Sequence, residues 1–119
     1  VDKDPEHLLV LAKAGERAAL GQLLQHYRNY LKLLARVGID RRLQNKVDPS
    51  DVVQETFLEA HRDFPNFRGV GEPELAAWLR QILAHNLANI VRKYAGTQAR
   101  DVRLEQQLQA ELDRSSQGW

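Results

Sequence analysis

From Leu20 to Ala35 the apolar residues Leu20, Leu23, Leu24, Tyr27, Leu31, Leu34 and Ala35 return at three- and four-residue steps, the period of one face of an α-helix. The rhythm recurs in a second stretch, where Leu75, Leu79, Ile82, Leu83, Asn86 and Ile90 gather on one side at 100° per residue, with Leu87 and Tyr94 at the edge. Stripes of this period are buried by packing helix on helix, so the expected fold is all-α, a compact bundle of about four helices. Composition agrees: Leu, Ala, Gln, Glu and Arg are abundant, while the 119 residues include only 7 glycines and 4 prolines. A chain of this size makes one domain with a modest core.

Local signals divide the chain. Asp4-Pro5-Glu6 opens a short helix to about Ala14, and Gly15 breaks it. A long helix is expected from about Arg17 to Val37, with Gly38 as C-cap. Asp48-Pro49-Ser50-Asp51 starts the next, with Asp48 or Ser50 able to cap, and it runs to about Asp63 or Phe64. Two prolines and two glycines make Pro65–Pro73 a loop. A helix from Glu74 to about Tyr94 follows, ended by Gly96-Thr97. Residues 98–113 are weakly amphipathic (Leu104, Leu108, Leu112), and the last residues read as a linker or tail. The expected division is therefore a helical domain over 1–95 and a linker or tail over 96–119.

The sequence shows no apolar run long enough to span a bilayer and no charged-then-apolar leader pattern, so no membrane partner is expected. With no cysteine, disulfides and cysteine–metal sites are excluded and a reducing cytoplasm fits. The four histidines (His7, His26, His61, His85) lack metal-ligand spacing. No metal, cofactor or nucleophile–base pair can be read. His61-Arg62-Asp63 resembles a kinase tripeptide but lacks the glycine-rich loop and the lysine that such chemistry needs. We therefore expect no enzyme.

The net charge of +1 points to no partner, but its distribution does. Residues 64–103 hold six basic side chains against three acidic, and no acid lies between Leu75 and Arg100. Residues 104–119 hold three acidic against one basic. An acid-free basic segment in an otherwise balanced chain favours a polyanion locally, although a solvated helix could carry the same run by chance.

Two helix faces stand out. Val53, Phe57, Ala60 and Phe64 follow the helical period toward a core, while Asp51, Gln54, Glu55 and Leu58 share another face at i, i+3, i+4 and i+7. One apolar residue among three acceptor-rich ones suits docking against a basic, partly apolar helix; ordinary surface residues near a helix N-terminus fit the pattern too. In the fourth helix Trp78, Gln81, His85, Asn89 and Arg92 fall on one side, opposite the leucine stripe, with Arg80 and Lys93 flanking. An aromatic, amides, an imidazole and cations are the groups that contact bases and phosphates. A solvated face with Trp78 tucked into the core is the plainer reading. The loop before it offers Phe64, Asn66, Phe67 and Arg68, enough to stack an unpaired base, or simply to plug the gap between helices.

Read in order, Asp51-Val52-Val53-Gln54-Glu55-Thr56-Phe57-Leu58-Glu59-Ala60, Phe67-Arg68-Gly69 and Trp78-Leu79-Arg80-Gln81-Ile82 resemble region 2 of the extracytoplasmic-function sigma factors. The likeness covers roughly 18–94. It implies a bacterial, cytoplasmic transcription-initiation factor without cofactor, whose partners are core RNA polymerase, single-stranded minus-ten promoter DNA and, in regulated members, an anti-sigma factor. It assigns Asp51, Gln54, Glu55 and Leu58 to the β′ clamp helices of the polymerase. Phe64, Asn66, Phe67 and Arg68 fall to a flipped base, and Trp78, Arg80, Gln81, His85, Asn86, Asn89, Arg92 and Lys93 to the melted strand. The spacing from Gly69 to Trp78 is about two residues longer than expected for the family. His85 stands where an asparagine is common; helical geometry turns His85 outward and the following Asn86 inward. Members carry a second helix-turn-helix domain, for which no sequence remains after Trp119, so a fragment ending in the interdomain linker is expected in preference to an unusually short relative. The competing reading is a helical protein-interaction module with no DNA role.

Overall fold

Pro5 enters the first helix where its missing N–H costs nothing, and Gly15 closes the following turn at φ 103°, a left-handed value that glycine adopts freely. The structure, a computed structural model, describes residues 4–40, 42–43, 46–95 and 102–118. Within them lie six helices: α1 (Pro5–Lys13), α2 (Arg17–Gln25), α3 (Arg28–Asp40), α4 (Pro49–Asp63), α5 (Glu72–Ala95) and α6 (Val102–Ser116), with a 3-10 turn at Phe64–Asn66. No strand occurs among the described residues.

The all-α expectation holds, but the number of helices is six rather than about four. One difference is a break in the long helix expected over 17–37. At the corner His26 N–H donates to Leu23 O at 3.0 Å and Tyr27 N–H to Leu24 O at 2.9 Å, bonds that tighten and end α2. The stripe stays buried on both sides of the corner, because α2 packs on α1 while α3 packs on α4, α5 and α6. Tyr27 fills the corner and its hydroxyl donates to Glu72 Oε1 at 2.7 Å, tying it to the start of α5. Gly38 is not a C-cap: α3 continues to Asp40. A Cβ there would lie 2.8 Å from Leu87 Cδ1 and 3.3 Å from Leu108 Cδ2, so the missing side chain lets α5 and α6 close on α3.

The second difference is α6. Residues expected as linker or tail form a helix laid along α5 and α3, with Leu108 and Leu112 fully buried. Each such leucine contributes about 1.5–3 kcal/mol relative to exposure. The expected helix end at Gly96-Thr97 lies outside the described residues. The loop expected over Pro65–Pro73 is shorter than that: a 3-10 turn takes Phe64–Asn66, and α5 begins at Glu72, so that Pro73 lies in its first turn. Asp48, not Ser50, caps α4, accepting from Ser50 N–H at 2.9 Å. No helix among the described residues is long and apolar enough to cross a membrane.

Candidate nucleic-acid and polymerase interface

The period of α4 sorts its residues into two faces. Val52, Val53, Thr56, Phe57 and Ala60 are buried, while Asp51, Gln54, Glu55 and Leu58 are all exposed. Leu58 is 56% exposed, a large apolar side chain left in solvent beside two carboxylates and an amide. The four residues form one unobstructed surface of mixed character.

Beyond α4 the chain folds its aromatic residues inward. Phe64 and Phe67 are nearly parallel with ring centroids 5.6 Å apart, and both meet half-buried Trp78, at 6.1 and 5.2 Å. Each phenylalanine is only 8% exposed, so both plug the gap between helices. Asn66 and Arg68 point to solvent. Gly69 is required for this packing, since a Cβ there would overlap the Phe67 ring and the Glu74 Cβ. Lys13 of α1 closes the other side: its ammonium sits 5.8 Å from the Phe67 ring centre and donates to Gly69 O.

A cleft of about 500 Å³ opens between the α1–α2 turn and this loop, lined in part by Lys13, Arg17, Phe64, Pro65, Phe67 and Arg68. Aromatic edges at the floor and three cations at the rim, set against the one carboxylate of Glu16, are suited to an unstacked base with its phosphates. Sequence reasoning found the loop half of this cleft. Lys13 and Arg17 lie some fifty residues away along the chain, and no local pattern marks them.

On α5 the outward stripe is divided among several environments. Gln81, Asn89 and Lys93 are exposed, and His85 and Arg92 are half-exposed. Asn86 is apart from them: it is 6% exposed, and its Nδ2 donates to Thr56 Oγ1 at 3.2 Å, while Thr56 Oγ1 donates to Val52 O at 2.9 Å. Asn86 therefore fastens α5 to α4 and has no surface to offer a ligand. Arg80 is turned into the α6 seam, donating to Asp113 Oδ1 at 2.8 Å, Tyr30 Oη at 2.8 Å and Ser116 Oγ at 3.3 Å. Burial opposes its charge, but the bonds to Asp113 and Tyr30 outweigh this and hold the guanidinium pKa above its ordinary value. His85 Nδ1 lies 3.0 Å from Glu105 Oε1. Asn89 joins His85 Nε2 through its amide nitrogen at 3.3 Å, and its amide oxygen accepts from Arg92. His85 of the stripe and Arg80 at its flank are thus already engaged by carboxylates of α6. No group of three or more His, Cys, Asp and Glu side chains is placed to hold a metal among the described residues.

An all-helical scaffold with an exposed acidic–apolar helix face, a basic–aromatic cleft and an amide–imidazole–cation stripe has the surfaces of a factor that binds other macromolecules. The description "Sigma-70 region 2" matches residues 23–97, and the chain belongs to that family, with the extracytoplasmic-function type indicated by its motifs and its relative. That relative is the "ECF RNA polymerase sigma-E factor" of Haemophilus influenzae, 30% identical over 82 residues, which are 69% of this chain and 40% of the relative. The chain spans about two-fifths of the length of this curated relative. No solved structure gives a significant match.

Proposed function

We propose that this chain is the part of a sigma factor that docks on core RNA polymerase and, with it, captures and melts the minus-ten strand of promoter DNA. The observation that carries the reading is the separation of two accessible surfaces on one helical bundle: Asp51, Gln54, Glu55 and Leu58 on α4, and the cleft and stripe from Asn66 through Lys93. The α4 face suits the β′ clamp helices, offering carboxylates and an amide to basic residues and Leu58 to an apolar one. In the cleft, an unpaired base would rest against Phe64 and Phe67, with its phosphates near Lys13, Arg17 and Arg68. Trp78, Gln81, His85, Asn89, Arg92 and Lys93 would follow the strand. Arg80 and Asn86 would position α5 from beneath. The cell compartment would be the cytoplasm, and an anti-sigma factor would compete for one of these two faces.

One observation favours the alternative of a protein-interaction module without a DNA role: Asp113 and Glu105 already engage Arg80 and His85. Two experiments separate the readings. Charge reversal at Asp51 and Glu55 should abolish capture of the β′ clamp helices, and undiminished capture would remove the polymerase assignment. Arg92→Glu with Lys93→Glu should weaken binding of fluorescent minus-ten single strands and flatten its salt dependence. Unchanged affinity would remove the DNA assignment and leave the interaction module.

A further inference from the structure

We infer that Glu105 of α6 is a positioning residue for base preference, acting through His85 on Asn89; this rests on the DNA reading of α5 proposed above. Four side chains form a continuous chain of hydrogen bonds across the exposed stripe: Glu105, His85, Asn89 and Arg92. The two ends determine its direction. An arginine guanidinium can only donate, so Asn89 must turn its amide oxygen to Arg92 and its nitrogen to His85. An ionised carboxylate can only accept, so His85 must carry its proton on Nδ1, facing Glu105 Oε1 at 3.0 Å. Nε2 is then a bare acceptor, matching the Asn89 amide nitrogen at 3.3 Å. Each of the three links between these side chains joins a donor to an acceptor only in this arrangement.

The consequence falls on the exposed amide. Held this way, Asn89 presents to a base one remaining N–H and one remaining lone pair in a set order, the pattern with which an asparagine reads a base edge. Without Glu105, His85 is free to move its proton to Nε2, which then opposes the Asn89 N–H donor. The amide must turn over or leave His85, and the order it presents is lost. Glu105 can exert this control because α6 is part of the core rather than a loose tail. Leu108 and Leu112 are fully buried, and Leu108 packs at the bare face of Gly38. Nothing local in the sequence points to the role, since Glu105 and His85 are 20 residues apart.

The test uses the whole chain and three proteins: wild type, Glu105→Ala and Glu105→Gln. Glutamine keeps a carbonyl oxygen able to accept from Nδ1–H, so it is the conservative rescue. Nitrogen-15 NMR at a pH where the ring is neutral should find the Nδ1–H tautomer of His85 in wild type and Glu105→Gln, and a shift toward Nε2–H in Glu105→Ala. Fluorescence binding at low salt to minus-ten single strands differing at one base should find the spread between best and worst base narrowed roughly tenfold in Glu105→Ala alone. An unchanged tautomer or an unchanged base profile in Glu105→Ala overturns the inference. A uniform rise in affinity for every strand overturns it too, since Glu105 would then be a competitor for phosphate. If the wild type binds no single strand at all, the DNA reading fails and this inference with it, whereas an unchanged profile in a protein that does bind removes the inference alone.

Discussion

Arg42, on the turn that follows α3, grips Glu111 of α6 with both arms of its guanidinium: Nη1 donates to Oε1 at 3.0 Å and Nη2 to Oε2 at 2.7 Å. The two side chains are 19% and 12% exposed. The hydrogen bonds to Glu111 raise the Arg42 pKa above its ordinary value, against the opposing effect of burial. A planar fork matching a carboxylate is a contact that lysine cannot reproduce. Arg42→Ala should therefore lower the unfolding free energy by about 2–4 kcal/mol, with Arg42→Lys recovering only part of it. Urea unfolding measures this, and faster amide exchange in α6 would locate the damage. Equal midpoints for wild type and Arg42→Ala would mean that the fork contributes nothing.

Gly69 should tolerate no side chain, although its own side is half-open. A methyl group there would overlap the Phe67 ring and the Glu74 Cβ, and Phe67 cannot yield without leaving Trp78 and Phe64. Gly69→Ala is expected to cost about 1–3 kcal/mol by overpacking and to change the emission of Trp78, read in a Trp119→Phe background. A wild-type spectrum and midpoint would show that the loop relaxes freely and that the Phe-Arg-Gly run has no packing role.

How much of this was legible in the sequence depended on how far each partner lay along the chain. On α4 both faces follow from the 3.6-residue period, and Asp51, Gln54, Glu55 and Leu58 are exposed as their spacing predicts. On α5 the same arithmetic turns Asn86 inward, and it is inward; the family likeness alone had placed it among the DNA contacts. The break between α2 and α3 was hidden because the apolar stripe does not lapse at the corner: Leu24, Tyr27 and Leu31 all belong to the core. Least legible was α6. Leu104, Leu108 and Leu112 suggest a helix, but its attachments (Arg42, Arg80, His85) come from 20 to 69 residues earlier, a relationship that exists only once the bundle is closed.

Alkaline pH should loosen the corner between α2 and α3. Burial first, and then the hydrogen bond and charge of Glu72, raise the Tyr27 pKa far above the ordinary value of about 10. The folded protein keeps this proton where the unfolded chain releases it. Tyr27 therefore contributes its full share of stability below about pH 10 and loses it progressively above, as the unfolded state comes to bind fewer protons than the folded one. Thermal melts between about pH 9 and pH 11 should fall more steeply for wild type than for Tyr27→Phe, which has no proton to lose. Near neutral pH Tyr27→Phe should cost about 1–2 kcal/mol for the lost bond to Glu72. Parallel alkaline limbs in the two proteins would count against the assignment.

The bond from Asn86 to Thr56 joins the helix proposed to follow DNA to the helix proposed to meet polymerase, and it makes an asymmetric prediction. In Thr56→Val the buried Asn86 Nδ2 loses its acceptor in a place water does not reach, a loss of about 1–3 kcal/mol. In Asn86→Leu the Thr56 hydroxyl still donates to Val52 O, at 2.9 Å in the wild type, so no donor is stranded and the cost reflects mainly the change of shape. The double variant Thr56→Val, Asn86→Leu should then be less destabilised than the sum of the singles, by about 1 kcal/mol in a double-mutant cycle. Strictly additive costs would mean that the two side chains are neighbours without being coupled. Strand binding supplies the functional half of the test. Because Asn86 is 6% exposed, Asn86→Leu should bind a minus-ten strand within about twofold of wild type under conditions where both are folded, while Asn89→Ala, one turn further on and exposed, should lose roughly tenfold. If the order is reversed, Asn86 reaches the strand directly, and α5 must rotate on α4 when DNA binds.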